Sequence, residues 1–150
     1  MSLPAKIARR SPADLLLATE AFLLLAFFRV CLVVVSVRRI IRTVTGGRTK
    51  SLSQAIPEAP ASDADVAQAL RIRWAVEAAT RNSAARFVCF PQTLAGYTML
   101  RMRRVPSTMV YGVTRSSEGE LIAHTWLTIG DRVVLGGEGS GQFTPVERWE

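Results

Sequence analysis

The sequence predicts an α+β fold in which helices come first and an antiparallel sheet follows. Three observations predict it. Before Pro106 the apolar residues recur at helical spacing, and after it they alternate. Ser11-Pro12-Ala13-Asp14 and Ser62-Asp63-Ala64-Asp65 both read as capped helix starts. Beyond Pro106 the alternating runs are short and separated by turn residues, the pattern of a meander.

The chain has 150 residues, of which 49% are hydrophobic, enough for a buried core. Its net charge of +7 is unevenly placed. Nine basic residues (Lys6, Arg9, Arg10, Arg29, Arg38, Arg39, Arg42, Arg48 and Lys50) face only Asp14 and Glu20 in residues 1–50, so this third carries the whole excess. A nucleic-acid binder would carry its basic stripe on the folded module, and residues 51–150 are neutral, so nucleic acid is not an expected partner.

From Ala13 to Val37 the sequence is dominated by Leu, Ala, Phe and Val. Glu20 and Arg29 interrupt the run, which argues against a membrane span. Arg38-Arg39 on the far side argues against a signal peptide. Residues 1–45 therefore read as an apolar, basic helical segment. It holds either one or two buried helices or, over residues 12–43, a membrane-surface element. Residues 46–61, punctuated by Gly46-Gly47, Pro57 and Pro60, read as a linker. Residues 62–150 read as the folded core.

Within that core, a helix runs from the Ser62 cap to about Thr80, with Val66, Leu70, Trp74 and Ala78 as its expected apolar stripe. Cys89-Phe90-Pro91-Gln92 opens the next helix, because proline is favoured in a first turn. This puts Cys89 at about the N-cap. Leu94, Tyr97, Leu100 and Phe90 supply a buried face, and Arg101, Arg103 and Arg104 form a solvated end that suits the helix dipole. Ser107–Thr114, Leu121–Ile129 and Arg132–Leu135 are the expected strands, joined by a loop at 115–120 and a tight turn at Gly130-Asp131. On the second strand Leu121, Ala123, Thr125, Leu127 and Ile129 share one face, and Ile122, His124 and Trp126 the other.

Two cysteines do not make a disulfide framework, and a reducing, cytosolic setting fits them. Cys31 lies in an apolar run, as buried free cysteines do. Cys89 is different. At a helix start it faces unpaired N–H groups and the positive end of the dipole, which favour a thiolate and can hold an oxyanion. His124 is the only histidine, so imidazole-based general-base chemistry must use it. Taken alone, a strand histidine is more often a satisfied, half-buried structural side chain. One histidine and two cysteines make a poor zinc site, and no metal or other cofactor is expected.

Cys89-Phe-Pro-Gln92-Thr-Leu, Arg103-Arg104-Val-Pro-Ser-Thr-Met-Val-Tyr-Gly112-Val and Ala123-His124-Thr-Trp126-Leu extend the pattern, followed by the Gly136-Gly137-Glu138 and Phe143-Thr-Pro-Val tail. Together they resemble the transglutaminase-like cysteine peptidases of lasso peptide biosynthesis over roughly residues 62–149. The resemblance implies a transglutaminase/papain-like core, with the catalytic cysteine at a helix N-terminus packed on the meander. It implies removal of a leader peptide from a ribosomally made precursor in the bacterial cytoplasm. It also implies two partners, a separate small leader-recognition protein and an ATP-dependent, asparagine-synthetase-like cyclase that closes the macrolactam.

The resemblance further implies a Cys-His-Asp triad, with Cys89 as nucleophile and His124 as base. Its third member is open. Asp131 is the only aspartate after His124, yet a turn at 130–131 puts it about five strand residues away, too far for a hydrogen bond. Hairpin geometry brings Glu138 closer, and a backbone carbonyl is the remaining choice. Gln92, one turn into the helix, is either a substrate-binding or a solvated residue. Two other functions fit the same residues: a protein-glutamine acyl transferase, and a non-catalytic adaptor bound to membrane or protein through its N-terminal segment.

Overall fold

The structure is a computed structural model and describes residues 11–47, 49–50, 60–82 and 89–150. Helix α1 (Pro12–Val34) begins where Ser11 accepts a hydrogen bond from the Asp14 N–H at 3.2 Å. Val35 turns extended and ends it, and α2 (Val37–Thr45) follows, closed by left-handed Gly46 at φ 66°. Helix α3 (Asp63–Arg81) starts on the Ser62 hydroxyl, which accepts from the Asp65 N–H at 3.1 Å. Helix α4 (Cys89–Met102) precedes β2 (Thr108–Arg115), β3 (Leu121–Ile129) and β4 (Arg132–Leu135). A short 3-10 turn (Ser140–Gln142) leads into β5 (Thr144–Trp149).

The architecture is α+β, as the change of period predicts. The sheet order is β1-β5-β2-β3-β4, where β1 is the two-residue strand Thr49–Lys50. The sheet is more than a meander. After β4 the chain returns across it, and β5 pairs antiparallel with β2 on the side away from β3. Sequence periodicity missed this strand because Pro145 interrupts it and its buried residues are few. Within the stretch read as linker, Thr49–Lys50 pairs with Arg148–Trp149. Its proline- and serine-rich part, 51–59, lies outside the described residues.

Helix α4 is the centre of the molecule. Thr93 to Tyr97, Met99 and Leu100 are all buried, so almost no side of it meets water. On one side it meets β2–β4, and on the other α1 and α3. A single core joins Leu17, Ala21, Leu25 and Phe28 of α1 to Ile72 and Val76 of α3, Leu94 and Met99 of α4, and Met109 and Leu127 of the sheet.

Two expectations about helix faces are corrected. The buried face of α3 is Ala69, Ile72, Ala75, Val76 and Ala79, whereas Leu70 is exposed. A strict four-residue spacing drifts around a helix of 3.6 residues per turn, and the small alanines permit the closer approach. The arginines ending α4 are also more than a solvated tip. Arg103 donates to the Glu20 carboxylate at 2.9 and 2.7 Å and to the Met99 carbonyl at 3.0 Å. Arg101 donates to the Val44 carbonyl of α2. Hydrogen bonding to Glu20 pushes the Arg103 guanidinium above its ordinary value, so it keeps its charge at physiological pH. These side chains fasten the N-terminal helices to α4.

Among the described residues α1 is the one helix long and apolar enough to cross a membrane, judged by length and composition. Its inner side belongs to the core, and Asp14 reaches Arg71 of α3 at 3.3 Å.

Candidate active site

Cys89 is the first residue of α4, within one position of the expected N-cap; residues 83–88 lie outside the described residues. It is a half-buried free thiol, and Pro91 is buried in the first turn behind it. One turn on stands Thr93, a residue that sequence reasoning did not single out. Its hydroxyl donates to the Cys89 carbonyl at 3.0 Å and lies 3.1 Å from the Thr125 hydroxyl of β3. Both threonines are almost completely buried. If Thr93 spends its single proton on Cys89, Thr125 is the donor between the two hydroxyls. The signal was in the sequence: Thr125 sits on an otherwise apolar strand face, and a buried hydroxyl requires a partner.

His124 is the next residue along β3. Its Nε2 lies 2.8 Å from the Gly136 carbonyl, just past β4. A carbonyl only accepts, so Nε2 carries the hydrogen and Nδ1 of the neutral ring holds the free lone pair. The ring stacks on Trp126 with centroids 6.1 Å apart and leans on Phe143 at 5.1 Å. The Trp126 contact follows the expected face sharing. Phe143 was missed, since nothing local ties the glycine-rich tail to β3.

Two glycines make this arrangement possible. Gly112 is the register partner of His124, and a Cβ there would come within 2.7 Å of the Trp126 ring. Gly136 has φ +71°, and its Cβ would lie 2.7 Å from the Thr125 carbonyl. A larger residue at Gly136 would therefore displace the carbonyl that holds the imidazole.

Among the described residues no hydrogen bond or ion pair joins either candidate carboxylate to the ring. Asp131 sits exposed in the turn beyond Ile129, about 16 Å along β3 from His124 at the usual rise. Glu138 is exposed in the loop two residues past Gly136. Gln92 is half-buried in the first turn of α4.

Helix α4 and the imidazole lie on different sides of β3. Side chains alternate along a strand, so Thr125 meets α4 while His124 stands with Trp126 and Phe143 on the other face. Among the described residues no hydrogen bond joins Cys89 to His124. Strand β4 pairs with β3 only from Leu127 to Ile129, so His124 lies on the stretch of β3 beyond that pairing. No three His, Cys, Asp or Glu side chains converge on a metal position among the described residues.

Compared with known protein families, residues 31–148 match the transglutaminase-like superfamily. The match runs from the last turn of α1 into β5 and includes both Cys89 and His124. The chain belongs to that superfamily. No curated protein and no solved structure gave a significant match.

Proposed function

Within this superfamily, we propose that the chain is a cysteine peptidase that removes the leader from a ribosomally made lasso peptide precursor. It works with a separate leader-recognition protein and beside a macrolactam cyclase. One observation carries the reading. The Thr93–Thr125 contact ties the turn that begins at Cys89 to the residue adjoining His124, whose Nε2 is already engaged by Gly136. Among the described residues Nδ1 of the imidazole has no hydrogen-bond partner, and it lies on the part of β3 that β4 does not pair. The resemblance of the Cys89, His124 and Gly-Gly segments to lasso leader peptidases supplies the substrate class.

In this mechanism Nδ1 takes the thiol proton, and the Cys89 sulfur attacks the scissile carbonyl. The tetrahedral oxyanion collapses, and His124 delivers the proton to the departing amine, the new N-terminus of the core peptide. The leader remains as a thioester on Cys89. Water then gives its proton to Nδ1, attacks the thioester and releases the leader carboxylate. Bond formation between Cys89 and substrate requires the thiol to reach Nδ1 around the β3 edge. Gly136, through its carbonyl, takes the orienting part proposed for Asp131 or Glu138.

The test is incubation of the full chain with a leader–core precursor and the recognition protein, read by mass spectrometry. Wild type yields free leader and free core. Cys89→Ala, with an unchanged circular dichroism spectrum, loses at least about a thousandfold in rate. Intact precursor under conditions where the recognition protein binds it would sink the proposal.

The absence of a thiol–imidazole hydrogen bond among the described residues favours one second reading, a non-catalytic adaptor. Alkylation separates the two: a peptidase modifies at Cys89 well ahead of Cys31, whereas an adaptor shows no preference.

A further inference from the structure

Of the three charged residues in α1, Asp14 and Glu20 are turned toward other helices, while Arg29 stays exposed. Asp14 faces Arg71 of α3, and Glu20 faces Arg103 at the end of α4. Leu17, Ala21, Leu25 and Phe28 occupy the same inner side. The opposite side of α1 carries Leu16, Leu23, Phe27, Val30, Val33 and Val34, all exposed, with Leu16 at 72% and Val33 at 83%. Thr19 is the one polar residue among them, and its hydroxyl is turned back to the Leu15 carbonyl at 2.9 Å. From Leu16 to Val34 this is an apolar stripe about 28 Å long.

Helix α2 continues from the end of that stripe. Its Ile40 and Ile41 are buried, while Arg38, Arg39 and Arg42 are exposed. None of these three arginines forms an ion pair among the described residues. The surface therefore offers greasy side chains ending in positive charge that no carboxylate of the described residues pairs.

We propose that this α1–α2 face lies on an anionic lipid surface, with α1 parallel to the membrane plane and its stripe in the headgroup–acyl boundary. Apolar insertion beside arginines is the composition of an interfacial helix. Anionic headgroups supply the negative charge that the described residues do not place beside Arg38, Arg39 and Arg42. A second copy on the same face would add a second arginine cluster and no carboxylate, since Asp14 and Glu20 both point inward. Spanning is ruled out by the inner side of α1, whose removal from α3 and α4 would break the core and two ion pairs. The arginines fit the interface because their stems lie along apolar surface while their heads stay wet. This docking stands whether or not the chain is a peptidase.

Co-sedimentation of the full chain with vesicles tests it, comparing phosphatidylcholine alone with phosphatidylcholine containing phosphatidylglycerol. Three arginines at an anionic surface should favour the latter by about a hundredfold, a preference lost in R38Q/R39Q/R42Q. Leu16→Ser with Leu23→Ser and Phe27→Ser should abolish sedimentation with both vesicle types. Those positions are exposed, so the thermal midpoint should hold. The proposal is overturned if anionic vesicles do not sediment the chain, or if the serine variant binds as well as wild type. It is equally overturned if light scattering shows a dimer that the serine substitutions dissolve, because a second copy then covers the face. A leader-recognition protein that binds the chain in solution and loses its grip on the serine variant also overturns it.

Discussion

The two faces of the sheet are held by different forces. Toward α4, β3 presents Leu127 and Ile129, both fully buried, and one hydroxyl pair, Thr125 with Thr93. Toward the other side it presents His124 and Trp126, leaning on Phe143 and backed by Gly112. The first face is closed by apolar burial. The second is held by ring contacts and one hydrogen bond to a carbonyl of the β4 exit. The contrast separates close packing from a ring held by a few local contacts. Burial against α4 fixes β3, while a few replaceable contacts aim the imidazole.

The largest test of that division is Leu127→Ala. The side chain is fully buried where α4 meets the sheet, so its loss should cost about 2–5 kcal/mol in urea unfolding. The His124 ring environment should change little while the variant remains folded. Because His124 is the only histidine, its nitrogen resonances can be read without ambiguity. A Leu127→Ala variant that is folded but has lost the Nε2–H signal would merge the two faces into one unit.

Gly136→Ala probes the other face. The left-handed backbone and the 2.7 Å approach to the Thr125 carbonyl should make it destabilising by about 1–3 kcal/mol, less than Leu127→Ala. Its signature is different. The carbonyl moves, so the protected Nε2–H resonance of His124 should broaden or vanish. Precursor cleavage should fall further than the loss of folded protein explains. An unchanged imidazole spectrum in a folded Gly136→Ala protein would remove Gly136 from its orienting part.

Much of the first face was legible in the sequence. Strand β3 could be read because its apolar residues alternate, and that alternation separates His124 from Thr125 correctly. Cys89 at the start of a helix followed from Pro91 two residues on. The second face was less legible, because its parts come from distant or featureless segments. Gly136 and Phe143 lie in a glycine-rich tail with no period, and β5 has a proline where a strand would ordinarily donate. The arginines of α4 carried a local explanation in the helix dipole, which hid their long-range partners, Glu20 and Val44. In the sequence Glu20 breaks an apolar run. Only the fold shows it turned toward Arg103.

The smallest effect concerns the hydroxyl pair on the α4 face, next in the chain to His124. Thr93→Val removes one hydroxyl and leaves that of Thr125 buried without its partner, which should cost about 1–2 kcal/mol. Thr125→Val should cost less, because the Thr93 hydroxyl keeps the Cys89 carbonyl as its acceptor. Removing both leaves no stranded hydroxyl, so the double variant should be more stable than the sum of the singles predicts. Stability alone would make the pair a buried hydrogen bond like any other. Cleavage distinguishes a positioning role. If the pair sets the Cys89 turn against the strand that carries His124, the double variant regains stability but not rate. A double variant that recovers both would leave Cys89 positioned by α4 packing alone, and the two faces would then be independent.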